Sequence, residues 1–199
     1  MTGARTLLTL ASLLLCGGGT GLTLQGAAVP VKAHVAQDRL QQVFAQQAMV
    51  SEGGTAAVPS PRGPSALPPA GPVARIAVER LGVAHIILAD DGTEAPLERA
   101  PTLLQRSDGA NPVTILAGHR DTHFLFVRDL LAGDVIMLQL VTGAVERYRV
   151  IHFETVRHDA FGWPRDPARP LLALTTCFPF GGTEYGGPWR RVAWAERIV

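Results

Sequence analysis

From Val73 to its C-terminus the chain is a succession of short apolar runs separated by turn residues, and this pattern restricts the possible folds most strongly. Such runs between Gly, Pro and Asp clusters are typical of β-strands. Because at least seven of them follow one another with little helix between, the segment predicts a mostly β fold, a closed sheet or barrel of about seven to eight strands. A helical turn is predicted at Phe124–Leu131. The runs are Val73–Val78, Ala84–Leu88, Pro112–Gly118, Asp134–Leu140, Ala144–Val156, Pro170–Cys177 and Trp189–Val199.

The N-terminal residues 1–29 form a different kind of segment. Thr6–Val29 carries no charge and is about long enough to span a bilayer as a helix. Arg5 precedes it, so the positive-inside tendency places the N-terminus in the cytoplasm and the rest of the chain outside. The segment therefore predicts a single-pass anchor in the cell membrane. A cleaved signal peptide built on Leu7–Leu15 is the alternative, because Gly17–Gly19 weakens the helix, and it would also export the chain.

Between this segment and the β-rich region lie two stretches of distinct composition. Pro30–Val50 has apolar residues near helical spacing and predicts a helix, which could pack on the domain, lie on the membrane or act as a spacer. Ser51–Pro72 is rich in Pro, Gly, Ser and Ala and predicts an extended linker. The predicted organisation is an anchor, a juxtamembrane helix with its linker, and a barrel, over residues 1–29, 30–72 and 73–199.

Cysteine content and charge narrow the function. Cys16 and Cys177 are the only cysteines, and Cys16 lies within the N-terminal apolar segment. Cys177 therefore has no disulfide partner within the predicted barrel, and its thiol is either a small buried apolar group or a nucleophile. The formal net charge of +1, with no basic run containing aromatic residues, argues against a nucleic-acid partner.

Three chemically capable side chains fall at the ends of predicted strands. His119 directly follows one apolar run, Cys177 ends another, and Arg190 lies near the start of the last. Strand ends are where rigid scaffolds present reactive groups. A Cys nucleophile needs a base, which His supplies near neutral pH, and the oxyanion formed at an attacked carbonyl needs donors, which Arg supplies. This set predicts nucleophilic catalysis by a thiolate.

The motifs around these residues resemble those of sortases. LALTTC, which ends at Cys177, resembles the TLxTC signature, although Ala173 stands where the family usually has Thr. AGHRDTHF (Ala117–Phe124) resembles the family's His motif and is followed by an LxxGD pattern at Leu130–Asp134. GPWRRVAWAE (Gly187–Glu196) resembles the strand that carries the family's Arg. The motifs occur in the family's order, and the resemblance covers about Val73–Val199, nearly the whole predicted barrel. The CFPF and RRVAWAE stretches are most similar to the proteobacterial class GN sortases.

The resemblance implies a sortase-type β-barrel and a cysteine transpeptidase without a cofactor. Its partners would be an exported protein with a C-terminal LPxTG-like sorting signal, cleaved between Thr and Gly, and an amine acceptor. Cys177 would form a thioacyl intermediate, His119 would act as acid and base, Arg190 would hold the oxyanion or the signal, and Thr176 would line the substrate site. Arg191 is the alternative to Arg190, because strand neighbours face opposite ways and only one can face Cys177.

The residues themselves leave other functions open. A hydrolytic cysteine peptidase would use water in place of the amine, and a non-catalytic anchored binding domain would keep Cys177 buried and unreactive. A peptidoglycan L,D-transpeptidase should show a Ser-His-Gly-Cys-like run, where this chain has Thr-Thr-Cys-Phe. His119 and His123, with Asp121 between them and Cys177 as a possible third ligand, have a spacing seen in zinc sites. The Glu of a metalloprotease helix is missing, so no metal site is predicted.

Overall fold

The computed structural model describes residues 37–46, 71–93, 95–182 and 186–198. A helix, α1, is described over residues 37–46. The later elements are β1 (Pro72–Val78), β2 (Val83–Ala89), α2 (Ala95–Arg99), β3 (Thr102–Arg106), β4 (Val113–Ala117), β5 (Val135–Leu140), β6 (Val145–Arg157), β7 (Leu171–Phe178) and β8 (Trp189–Ile198). Short 3-10 helices occupy Glu79–Leu81 and Leu125–Asp129.

The strands form a closed barrel in the order β1–β2–β3–β4–β7–β8–β6–β5, and β5 pairs with β1 to close it. The pairs β2–β3 and β4–β7 are parallel, while the other neighbouring pairs are antiparallel. Parallel neighbours need long crossover connections, and the one between β4 and β7 contains β5 and β6. Closure pairs the strands around the barrel and leaves few exposed edges. The predicted mostly β, closed barrel is confirmed.

The seven predicted runs all become strands, and the predicted turn at Phe124–Leu131 contains a 3-10 helix. The sequence reading missed β3 and α2, both of which lie between β2 and β4. Each is only five residues long, and β3 pairs with β2 at just two positions, Leu88 with Thr102 and Ala89 with Leu103. Such short elements carry too few residues to establish a periodic pattern.

The predicted membrane segment, residues 1–29, lies outside the described residues, as does nearly all of the predicted linker. Among the residues that the structure describes, no helix is long and apolar enough to cross a membrane. The helix predicted over Pro30–Val50 is helical in its described part, residues 37–46.

Helix α1 packs against the edge of β2. The side-chain amide of Gln37 accepts a hydrogen bond from the backbone N–H of Ile86 (2.6 Å) and donates one to its carbonyl (3.4 Å). Since β3 joins β2 only at Leu88 and Ala89, this amide takes the place of a neighbouring strand at Ile86. Gln37 and Phe44 are both buried. Of the roles left open for this helix, the structure selects packing on the domain.

Apolar residues pack on both faces of the barrel wall. The larger cluster fills the interior and includes Leu116, Leu172 and Leu174. A smaller cluster lies on the outer face of β4, β7 and β8, where Phe161 and Trp163 from the β6–β7 connection cover it. The rings of Phe161 and Trp194 lie 6.1 Å apart. This outer packing holds the β6–β7 connection against the wall that carries the groove described below.

A buried ion pair lies at the end of β4 opposite His119. Arg106 donates to both carboxylate oxygens of Glu146 (2.8 and 3.1 Å) and to the hydroxyl of Thr114 (3.0 Å), and Tyr148 donates to Glu146 (2.8 Å). Burial by itself would raise the pKa of Glu146. The hydrogen bonds and the charge of Arg106 outweigh that effect and hold the pKa below its usual value.

Replacing Glu146 with Gln is expected to lower the free energy of unfolding at neutral pH by about 3–5 kcal/mol, because Arg106 loses its buried counter-ion. The depressed pKa means that the carboxylate's contribution is complete above the unfolded pKa of about 4.3 and is lost as the pH falls through the folded pKa. The stability difference between the wild-type protein and Glu146→Gln should therefore shrink in acid. Urea unfolding at several pH values measures it, with the exposed Glu79→Gln as the control. A difference that stays constant with pH would contradict the prediction.

Candidate active site

The parallel pairing of β4 with β7 brings His119 beside Cys177. Ala117 pairs with Thr175, and the N–H of Gly118 continues the ladder with a bond to the carbonyl of Thr175 (3.2 Å). His119 and Cys177 each lie two residues beyond the Ala117–Thr175 pair. Because residues two apart on a strand share a face, both side chains lie on the outer face of the barrel.

The antiparallel pairing of β7 with β8 decides between the two adjacent arginines. Cys177 pairs directly with Arg190, so their side chains share a face. Arg191 pairs with Thr176 and lies on the other face, where its guanidinium stacks over the ring of Phe153 at 4.9 Å. The structure therefore brings Arg190, and not Arg191, to Cys177.

The three side chains line one groove with a volume of about 370 Å³ on the outer face of the barrel. Its floor comes from the ends of β4 and β7, and its sides from α2, β3, β8 and the β6–β7 connection. Apolar side chains make up much of the wall. The lining residues are Leu97, Leu104, Ala117, Gly118, His119, Arg120, Asp121, His158, Phe161, Thr175, Thr176, Cys177, Gly186 and Arg190.

The backbone on both sides of His119 is fixed by its neighbours. The hydroxyl of Thr176 donates to the carbonyl of Gly118 (2.7 Å), and the N–H of Phe124 donates to the carbonyl of His119 (2.9 Å). A Cβ on Gly118 would lie 2.5 Å from the buried ring of Phe124, so only glycine fits there. Thr176 is 2% exposed. It forms part of the groove wall, and its hydroxyl positions the segment that carries His119.

Arg190 keeps donors available to the groove. Its Nη1 group donates to the carbonyls of Gly187 (2.6 Å) and Trp189 (3.0 Å), which holds the guanidinium at the start of β8. Within the described residues, its Nε and Nη2 groups have no hydrogen-bond acceptor. A guanidinium fixed in this way can donate to an oxygen in the groove without first leaving a protein partner.

A family model, the Sortase domain, matches residues 76–198, which include His119, Cys177 and Arg190. The chain belongs to the sortase family. Sortases are cysteine transpeptidases, and the chain is therefore an enzyme of that class. No curated protein sequence matches it.

Solved sortase structures share the fold. Sortase D5 transpeptidase from Clostridium perfringens superposes with a TM-score of 0.58 at 17% identity, over 86% of this chain and 99% of that one. Sortase A from Corynebacterium diphtheriae gives 0.56 at 15% identity, over 90% and 96%. Sortase C1 from Streptococcus agalactiae gives 0.53 at 17% identity, over 83% and 89%. At these identities the likeness concerns the fold.

The residues predicted from the motifs line one groove, whereas His123 of the zinc spacing does not. His119, Cys177, Arg190 and Thr176 all line the groove. His123 is instead buried, with its ring 5.6 Å from that of His85. In the part of the chain that the structure describes, no group of three or more His, Cys, Asp or Glu residues is placed to hold a metal ion.

The structure adds residues to the site that sequence reasoning missed. Leu97 and Leu104 come from α2 and β3, the two elements that were not predicted. His158 and Phe161 come from the β6–β7 connection, whose course depends on tertiary packing. Arg120 lies beside His119 in the His motif, so its position was visible in the sequence, but its bonding partners lie far along the chain.

Proposed function

We propose that this sortase cleaves an LPxTG-like sorting signal between Thr and Gly and joins the released carboxyl group to an amine. The observation that carries the proposal is the strand register. It puts His119, Cys177 and Arg190 at the ends of the adjacent strands β4, β7 and β8, facing one groove. This is the set of groups that acyl transfer through a thiolate requires.

In the first half of the reaction the thiolate of Cys177 attacks the carbonyl carbon of the Thr residue of the signal. A C–S bond forms, and the carbonyl electrons move onto oxygen, where donors from Arg190 stabilise the negative charge. The intermediate collapses with cleavage of the C–N bond. His119 gives its proton to the leaving Gly amine, and a thioester remains on Cys177.

In the second half an amine attacks the thioester carbonyl. His119, now neutral, takes the proton of the incoming amine, and Arg190 again stabilises the oxyanion. The C–S bond breaks, and the thiolate of Cys177 leaves. The product carries a new amide bond, and the catalytic thiolate is regenerated. Attack by water in place of the amine would give hydrolysis from the same intermediate.

The composition of the groove supports a short, uncharged peptide segment as the donor. Leu97, Leu104 and Phe161 form apolar walls, and the cationic group of Arg190 lies on the same face as the thiol. The Leu and Pro side chains of an LPxTG-like signal match apolar walls, and its backbone carbonyls match the donors of Arg190. Thr176 forms the wall beside the nucleophile.

The proposal includes export and anchoring. The uncharged Thr6–Val29 would be a single-pass membrane helix, residues 30–72 would connect it to the barrel, and the barrel would work outside the cytoplasm. Recovery of the full chain in the soluble fraction of lysed cells would contradict anchoring. The class GN subgroup is also a proposal and rests on the CFPF and RRVAWAE stretches.

The test is a mass measurement on the purified full chain in detergent with an LPxTG peptide. Wild-type enzyme is expected to gain the mass of the acyl fragment on Cys177, to lose it when an amine is added, and to release an amide product. Cys177→Ala should show no adduct, and a peptide with the Thr–Gly bond replaced by Thr–Pro serves as the substrate control.

Two outcomes would change the proposal. An adduct that forms but transfers only to water would assign hydrolysis. No adduct, together with a Cys177 that resists alkylation in the folded protein, would reject thiol catalysis and favour the binding-domain alternative.

A further inference from the structure

Arg120 connects the segment that carries the catalytic His to the segment that follows the catalytic Cys. Its side chain is only 6% exposed. Nη1 donates to the carbonyl of Pro179 (2.9 Å) and Nη2 to that of Gly182. These acceptors lie 59 and 62 residues further along the chain. One guanidinium therefore links the turn after β4 to the connection after β7.

Backbone hydrogen bonds hold each of the two linked segments in place. His119 precedes Arg120 directly, and its carbonyl accepts a bond from the N–H of Phe124 (2.9 Å). Pro179 follows Cys177 by two residues, and its carbonyl accepts a second bond from the N–H of Gly182 (3.3 Å). Because both ends are held, a shift in the Arg120 bridge would be passed to the relative positions of imidazole and thiol.

The bridge depends on the shape of arginine and on the absence of a side chain at Gly182. A guanidinium presents planar, forked donors that reach two carbonyls at once, which a single ammonium cannot do in the same geometry. A Cβ on Gly182 would lie 3.0 Å from Nη1 of Arg120 and 3.2 Å from the carbonyl oxygen of Pro179. Glycine at this position therefore allows the guanidinium to approach.

The contact between Arg120 and Asp121 contributes less than the two bonds to carbonyls. Its Nε group donates to Asp121 at 3.2 Å, but the Asp121 side chain is 65% exposed. Exposed ion pairs contribute little because water screens them. Hydrogen bonds from a charged donor contribute more when that donor is buried, as the Arg120 guanidinium is. The bonds to the carbonyls of Pro179 and Gly182 are thus stronger than the pair with Asp121.

We propose that Arg120 is a positioning residue, which aligns His119 with Cys177 by bridging the turn after β4 to the Pro179–Gly182 turn. The proposal rests on the proposed function in that it takes His119 and Cys177 as the reacting pair. Arg120 does not exchange protons or form bonds with the substrate in this role. It determines how often the imidazole and the thiol have the geometry that the reaction needs.

The decisive variant is Arg120→Lys, which keeps the positive charge but lacks the two forked donor groups that reach both carbonyls. It is expected to slow thioester formation by about tenfold to a hundredfold, the scale of a small misplacement of reacting groups, with a much smaller change in the KM for the peptide. Gly182→Ala should slow it in the same direction by a smaller factor. Arg128→Lys is the matched control, because Arg128 is exposed and pairs only with its neighbour Asp129 among the described residues.

A second readout needs no sorting peptide. The pH dependence of Cys177 alkylation by iodoacetamide reports the coupling of the thiol to His119. In Arg120→Lys this profile should move toward that of His119→Ala, while circular dichroism and the melting temperature show a folded protein. A purely structural role would lower the melting temperature without moving the profile.

The outcomes are separable. Wild-type rates and an unchanged alkylation profile in Arg120→Lys would overturn the positioning role, as would a rate loss that follows only the unfolded fraction. If the wild-type enzyme forms no thioester but its alkylation profile still depends on His119 and on Arg120, then the proposed substrate is wrong and the positioning role stands.

Discussion

Replacing His119 with Ala is expected to slow thioester formation with an LPxTG peptide by about 10²–10⁴-fold. The imidazole is the only group proposed to protonate the leaving amine, and it also holds the thiol of Cys177 ready for attack. The strand register puts both side chains two residues past the Ala117–Thr175 pair, so removing the ring leaves the thiol in place without its proton donor. Mass spectrometry of the adduct in samples quenched at successive times gives the single-turnover rate.

His152→Gln is the matched control for this experiment. His152 stacks on Trp194 on the outer face of the barrel and does not line the groove. It should retain the wild-type rate, which separates loss of the His119 proton donor from a general effect of removing an imidazole. A His119→Ala enzyme within about tenfold of wild type would fall outside the range of general acid catalysis and would remove His119 from the mechanism.

The regular part of the fold was predictable because its signals are local. β6, for example, runs for 13 residues and buries Glu146, Tyr148 and Val150 in alternation. The site core was predictable for a chemical reason. Few side-chain types can serve as nucleophile, base and oxyanion donor, and His119, Cys177 and Arg190 stand where apolar runs end or begin.

The walls of the groove were not predictable from local signals. Phe161 reaches the groove because its connection packs on Trp194, and nothing near Phe161 in the sequence identifies that partner. Leu97 and Leu104 belong to elements too short to show periodicity. The choice between Arg190 and Arg191 was only partly predictable from the sequence. Strand alternation required one of them to face away, and only the β7–β8 register shows which one does.

Replacing Arg190 with Gln is expected to lower the rate of thioester formation by about 10²–10³-fold, the usual cost of removing an oxyanion donor. The adjacent Arg191→Gln should leave the rate near that of wild type. Arg191 lies on the other face, where it stacks on Phe153 and bonds to Thr155 at 3.4 Å, so its loss should cost about 0.5–1 kcal/mol of stability. Single-turnover rates and urea unfolding of both variants measure the two effects.

Comparing these two arginine variants tests the register of β7 and β8 as well as the chemistry. Both remove one charge from neighbouring positions, so a general electrostatic effect on the thiol would slow both by similar factors. A loss confined to Arg190→Gln requires a directed contact, because only its side chain shares a face with Cys177. A larger loss in Arg191→Gln would mean that the strand register in solution differs by one residue from Cys177 opposite Arg190. Arg190→Lys refines the result, because an ammonium keeps the charge but lacks the planar, forked donors of the guanidinium. Partial activity is expected for this variant.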